Sequence, residues 1–374
     1  MMKRRFYFLA LAALLAWGAT GAAAGAAAWA AASDAAANAD AGVSISLSTD
    51  ASASGGEGEA FSRAAWQETP VAEGIILRQC AFAGRDTLFG SNQFLSVLIV
   101  SPARECALVA APAGTLALTS ALAAGTVTMP ALAAGTESAA EAGNASKAGN
   151  SSKDGSGTKA GKAGVAGSGT AAGTPALAAG TVTTPALAAV NGSFFHMKAP
   201  YGGSTFSRIN NVIVSENAPV ENFRRDPQRS GAIVVSEGRF SVVTGFGPER
   251  TYEESLAGET ILTAGPMLLL DGVRSDLHPF KFNSNRHPRT AFGIRRDGTL
   301  IFVVADGRNA KAAGLSMAEL QQVMIWLGCR DAINLDGGGS STMVVSGAVV
   351  NHPCDNRRFD ADGERPVANA WVIR

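Results

Sequence analysis

The chain has 374 residues, with 31 lysines and arginines balanced by 31 aspartates and glutamates. That balance excludes a long-range field drawing the protein to nucleic acid or to an anionic membrane surface, so an anionic ligand has to be held by local groups. The length, less a leader and a low-complexity stretch, suits one domain.

At the start, Lys3, Arg4 and Arg5 precede the apolar run 6–17 and a long alanine-glycine stretch. This pattern predicts a secretory signal peptide over 1–32 and a secreted or periplasmic location. Residues 6–32 carry no charge and are long enough to span a bilayer, so an uncleaved anchor is the alternative and the one membrane contact expected. Residues 33–60, rich in alanine, serine, glycine and acidic residues, read as a flexible tether. Residues 61–374 then form the domain. Its four cysteines, Cys80, Cys106, Cys329 and Cys354, match no zinc spacing and are read as structural, with pairing open.

Apolar runs at 94–100 and 107–111 predict strands. Residues 121–134 (ALAAGTVTMPALAA) return at 176–189 (ALAAGTVTTPALAA) with one difference, Met129 against Thr184. The interval has no aromatic residue and a Gly/Ser/Lys/Ala middle, which argues against stacked repeats. It reads as a surface loop expanded at about 121–185, with no core residue assigned to it. Further strands are expected at 212–214 and 232–235. The runs 290–295 and 299–305 flank Asp297-Gly298 and predict a hairpin. Ser316 and Glu319 form a capping-box pattern ahead of Met317, Leu320, Val323, Met324 and Leu327, with Gly328 as the stop. A buried strand at 332–335 and a hairpin of 342–345 with 348–350 follow. The sum is an α+β class: one sheet-rich domain with few helices, plus a low-complexity loop insertion.

The string Asn334-Leu335-Asp336-Gly337-Gly338-Gly339-Ser340-Ser341 puts a carboxylate at a strand end before three glycines, which let a backbone approach a ligand closely. Asp306-Gly307-Arg308 ends a second apolar strand, and Asn191-Gly192-Ser193 a third. Each alone is an ordinary turn; together they suggest one cleft.

These strings, with 289–293, 327–342 and 364–370 and in this order, resemble the phosphodiester glycosidase family over roughly 94–374. Ser193 departs from the glycine that family favours, and the insertion stands just before Asn191. The resemblance implies hydrolysis of a sugar-1-phosphodiester, with N-acetylglucosamine as the family's sugar and a phosphoglycan as one form of the substrate. Within it, Asp306 and Asp336 are the candidate catalytic carboxylates, with Glu364 third. Arg289, Arg308 and Arg365 are candidates to grip phosphate. Asn191 and Asn369 can bond sugar hydroxyls or satisfy turn backbone, and Gly192, Gly337, Gly338, Gly339 and Ser340 complete the expected binding set. Tyr201 and its neighbouring glycines can serve as a lid. The four histidines, His352 among them, read as loop residues. No cofactor is expected, with a divalent metal left open. Two alternatives stand: a metal-dependent phosphodiesterase attacking phosphorus, and a non-catalytic envelope protein that binds phosphoglycan.

Overall fold

The computed structural model describes residues 56–125, 129–130, 179–180, 185–218, 226–245 and 249–374. The chain divides into two compact units, Met1–Leu47 and Ser48–Arg374. The first lies outside the described residues, as do the expected signal peptide and most of the expected tether. Among the described residues no helix is long and apolar enough to cross a membrane.

Sheet dominates. Eight strands form the largest sheet, in the order β1 (Gln67–Ala72), β2 (Ile75–Phe82), β3 (Gln93–Val100), β18 (Leu300–Ala305), β17 (Arg289–Arg295), β19 (Cys329–Asn334), β15 (Met267–Leu270) and β16 (Val273–Arg274). A five-stranded sheet runs β21 (Ala348–Val349), β20 (Met343–Val345), β7 (Ala188–Asn191), β22 (Asn369–Ile373) and β4 (Cys106–Ala110). A second runs β11 (Val212–Ser215), β10 (Ser207–Ile209), β14 (Thr260–Ala264), β12 (Gly231–Ser236) and β13 (Arg239–Thr244). Two short ribbons complete the set: β5 (Met129–Pro130) with β6 (Ala179–Gly180), and β8 (Phe195–His196) with β9 (Gly202–Gly203).

Strand periodicity explains how the three larger sheets share one interior. In β22, Trp371 and Ile373 join the main core while Ala370 and Val372 face a smaller cluster on the other side; in β7, Ala188 and Val190 face the main core and Ala189 the smaller one. Phe292, Phe302, Ile333 and Leu335 enter the main core from the eight-stranded sheet, with Ile233 and Leu262 from the sheet of β12 and β14. The predicted hairpin is β17 with β18 in register Arg289↔Ala305 to Ile294↔Leu300, and Gly298 at its tip has φ +84°. Helix α3 (Met317–Trp326) starts on the expected box, with Ser316 Oγ accepting from the Glu319 amide and Glu319 reaching back to the Ser316 amide. It packs on β15 and β19 and ends where Gly328 takes φ +76°.

Two expected boundaries move. Helix α1 (Gly56–Arg63) includes the last five residues of the expected tether. Phe61 anchors it by stacking on Phe82 and meeting Trp66 edge-on; one buried aromatic outweighs a polar composition. The insertion was expected to contain no core residue from 121 onward, yet helix α2 (Thr119–Ala123) runs into it, and Leu122 and Ala123 are buried with Val109, Ala189 and Val372. The Ala186 amide then donates to Ala123 O at 2.8 Å. Most of the remainder of the insertion lies outside the described residues. Where its two copies are described, Met129↔Gly180 and Pro130↔Ala179 pair antiparallel.

Candidate active site

Antiparallel register gathers the motifs at one end of the sheets. Arg289 opens β17 opposite Ala305, the last residue of β18, and Ala291 pairs with Asn334, the last of β19. Asp306 and Asp336 therefore leave the large sheet at the same end. In the neighbouring sheet Asn191 pairs with Ala370, so the end of β7 and the start of β22 coincide. The Asp336 amide donates to Gly192 O at 3.0 Å and Asn191 Nδ2 donates to Asp336 O at 2.8 Å, tying the two sheets together there.

Asp336 is half-buried. Burial pushes its carboxyl up to about 6, opposed by the nearby Ser340 hydroxyl, the Arg365 charge and the Gly337 amide, which donates to Oδ1 at 2.9 Å. The Ser340 hydroxyl is buried and completes no hydrogen bond of ordinary length among the described residues. A hydroxyl turned toward this carboxyl leaves donor and acceptor capacity on the pair for a bound molecule. The three glycines pack tightly around this turn. The Gly338 amide donates to Pro288 O at 2.8 Å, and a Cβ on Gly339 would stand 1.9 Å from Asp355 Oδ1 and 2.4 Å from the Arg365 guanidinium. Arg365 grips Asp355 with two bonds of 2.5 Å, which raises its pKa.

Several expected ligands hold the frame. Asn191 Oδ1 accepts from the Thr290 hydroxyl at 2.9 Å and the Thr342 amide at 3.1 Å, with the residue fully buried. Asn369 Oδ1 accepts from the Ser193 amide at 2.8 Å and occupies the space where a Cβ on Gly192 would fall, 1.9 Å away. Ser193 points its hydroxyl to Thr263 O at 2.7 Å, so the departure from glycine braces β14. Arg289, 1% exposed, donates to Leu315 O, Phe282 O and Asn285 O. Burial and the neighbouring Arg308 lower it to about 10; its geometry is that of a loop clamp, where a phosphate ligand was expected. Glu364, expected as a third carboxylate, accepts from the Ser120 amide at 2.8 Å and the Ser120 hydroxyl at 2.6 Å and so serves the start of α2.

Asp306 is 1% exposed. Asn351 Nδ2 donates to Oδ1 at 3.0 Å, the His352 amide reaches both oxygens at 3.1 Å, and His352 Nδ1 meets Oδ2 at 2.6 Å. The same Asn351 amide group donates to Ser341 O at 2.9 Å, linking this carboxylate to the glycine turn. Arg308 follows with φ +59°, a backbone region costly for a side-chain-bearing residue. Its exposed guanidinium lies over Gly338, 3.1 Å from where a Cβ would be, and reaches Cys354 Sγ at 3.8 Å. It has no acidic partner among the described residues. All four cysteines are buried and unpaired, and burial raises each thiol, Cys80 to about 11.

Beside Arg365 opens a cavity of about 480 Å³ lined by Leu116, Phe195, Met197, Tyr201, Asp355 and Arg365, among others, a size that suits a small organic ligand. Among the described residues no group of three or more His, Cys, Asp or Glu side chains is placed to hold a metal ion.

The family model for phosphodiester glycosidase matches residues 184–374, half of the chain. The chain belongs to the phosphodiester glycosidase family. Within that family it is 30% identical over 181 residues to N-acetylglucosamine-1-phosphodiester alpha-N-acetylglucosaminidase of Mus musculus, covering 45% of this chain and 33% of the mouse protein. An uncharacterized prophage-derived protein of Bacillus subtilis is 40% identical over 70 residues, 19% of this chain and 11% of its own. The chain thus spans about a third or less of the length of these curated relatives. The catalytic domain of the zebrafish N-acetylglucosamine-1-phosphodiester alpha-N-acetylglucosaminidase, auto-inhibited by its pro-peptide, shares the fold at a TM-score of 0.51 and 14% identity, covering 82% of this chain and 84% of that one. In this phosphodiester glycosidase the family match begins at residue 184, yet β3 and β4 from before it complete the sheets through β18 and β22.

Sequence reading took His352 for a loop residue and passed over Asn351. Forty-six residues separate His352 from Asp306, so no local spacing announces the pair; the available signal was a polar Asn-His step directly after a hairpin whose strand leads back to the glycine turn.

Proposed function

We propose that this phosphodiester glycosidase hydrolyses a sugar-1-phosphodiester to the free sugar and a phosphomonoester, with N-acetylglucosamine, the sugar named for its mouse relative, at the anomeric position. The observation that carries this reading is Asp336: a carboxyl poised at about 6 beside the buried Ser340 hydroxyl, on a glycine turn flanked by Arg308 and Arg365.

A group poised near neutral pH is suited to take a proton from water as it attacks the anomeric carbon. Charge builds on the departing phosphate in the same step, and a guanidinium already fixed in place stabilises it without reorganisation. Arg308 is the freer of the two, while Arg365 is shared with Asp355. The cavity beside Arg365 takes one end of the substrate, with Tyr201, 42% exposed, at its rim. An exported protein of this kind meets phosphoglycans outside the cytoplasm. Chelator sensitivity separates the metal-dependent alternative from this reading, and product analysis separates a pure binding role. Incubation with UDP-N-acetylglucosamine, with and without chelator, tests the reading. Free N-acetylglucosamine and UDP support it; UMP and sugar-1-phosphate point to attack at phosphorus and sink it.

A further inference from the structure

Asp306 cannot act on a substrate directly, because its two oxygens are buried beneath Asn351 and His352. The group it holds at the partly exposed level is the imidazole of His352. The His352 ring stacks on Phe359 at 3.7 Å between centroids and 10° between planes, with the edge of Phe94 at 4.8 Å. Nδ1 is fixed on the carboxylate, the side chain is 24% exposed, and Nε2 has no protein partner among the described residues. A carboxylate bonded to one ring nitrogen selects a single tautomer, leaving the other nitrogen to exchange a proton. A tie holding the 351–363 loop would need only the Nδ1 bond; it would not need a partly exposed ring clamped between two aromatic side chains.

The ring also lies on the right side of the site. Arg308, two residues after Asp306, touches both the glycine turn at Gly338 and the loop of His352 at Cys354, and Asn351 bonds Asp306 and Ser341 O together. The charged groups around the ring are Asp306 beneath it, Asp360, which feels its charge, and Lys311 over the far ring of Phe359.

From this geometry we infer that His352, held by Asp306 as its positioning residue, is a second catalytic group, the one that protonates the departing phosphate. The inference rests on the glycosidase reading above. The bond between the anomeric carbon and the phosphate oxygen breaks with its electron pair passing to that oxygen, which takes the proton from Nε2. Water bonds to the anomeric carbon and yields a proton to Asp336. The phosphomonoester leaves as its monoanion, and the proton on Asp336 returns through solvent to the imidazole, resetting both groups.

The test uses the full chain and two readouts. His352→Asn keeps a donor at the Nδ1 position and removes Nε2. With UDP-N-acetylglucosamine, wild type is expected to show a bell-shaped pH profile, and the variant to fold normally, keep its KM, lose about 10²-fold in kcat and lose the alkaline limb. A variant with wild-type kcat and an unchanged bell would reduce the pair to a loop tie. The second readout follows the His352 ring nitrogens by NMR while inorganic phosphate is titrated in. A saturable shift at Nε2 supports the assignment even if UDP-N-acetylglucosamine is not cleaved, in which case the choice of sugar is what fails. No shift at saturating phosphate overturns the assignment whatever the turnover.

Discussion

Replacing Asp336 by asparagine separates what the fold wants from what the chemistry wants. Burial raises this carboxyl from 3.8 to about 6, so its ionised form costs the folded state about 3 kcal/mol at roughly 1.4 kcal/mol per pKa unit. The sign follows from linkage. Because the folded pKa lies above the unfolded one, the protonated form is the one the fold favours. The penalty is absent below about pH 4, grows between about pH 4 and 6, and is complete above. Asparagine carries no charge, and its Oδ1 can still accept from the Gly337 amide, which now meets Asp336 Oδ1. Its new amide hydrogens forfeit about 1 kcal/mol of that gain if left unbonded. Asp336→Asn is therefore expected to unfold about 2 kcal/mol later than wild type at pH 8 and level with it or slightly earlier at pH 4, measured by urea denaturation followed through tryptophan fluorescence. The same variant is expected to lose about 10²-fold or more in kcat. A stability difference that does not change with pH, or a variant less stable at pH 8, would refute the argument that this carboxyl is held above its ordinary range.

Other outcomes follow from named contacts. Arg308→Met is expected to lower kcat/KM on UDP-N-acetylglucosamine by about 10²-fold, and Arg308→Lys to recover little of it, since an ammonium does not reproduce the planar fork; equal activity in all three proteins would remove Arg308 from the phosphate. Deleting residues 121–185 is expected to destabilise the protein by about 2 kcal/mol or more through loss of Leu122 and Ala123, because Ala186 to Ala189 cannot both rebuild α2 and form β7. Deleting 121–175 keeps the second copy, whose Leu177 and Ala178 take the places of Leu122 and Ala123, and is expected to leave the midpoint of thermal unfolding near that of wild type. Equal losses in the two deletions would contradict the assignment of α2 to the core.

The elements with strong local signals were legible. Asp297-Gly298 announced the β17–β18 hairpin, and Ser316 with Glu319 the start of α3, because turn chemistry and capping act over a few residues. The convergence of Asp306, Asp336 and Asn191 at one end of the sheets was legible as well, since each ends an apolar strand. Side-chain direction was not. Arg289 looks like a phosphate ligand in one dimension and spends its guanidinium on three carbonyls in three. Glu364 is drawn to Ser120, 244 residues away in sequence. Polar composition likewise concealed that Phe61 pins α1 and that Leu122 carries α2 into the core.

The central claim is that bond cleavage occurs at the anomeric carbon. Hydrolysis of UDP-N-acetylglucosamine in ¹⁸O-labelled water, with mass analysis of both products, tests it most directly. The label is expected in the free N-acetylglucosamine, with UDP unlabelled. Label in a phosphate product would place the attack at phosphorus and contradict the claim.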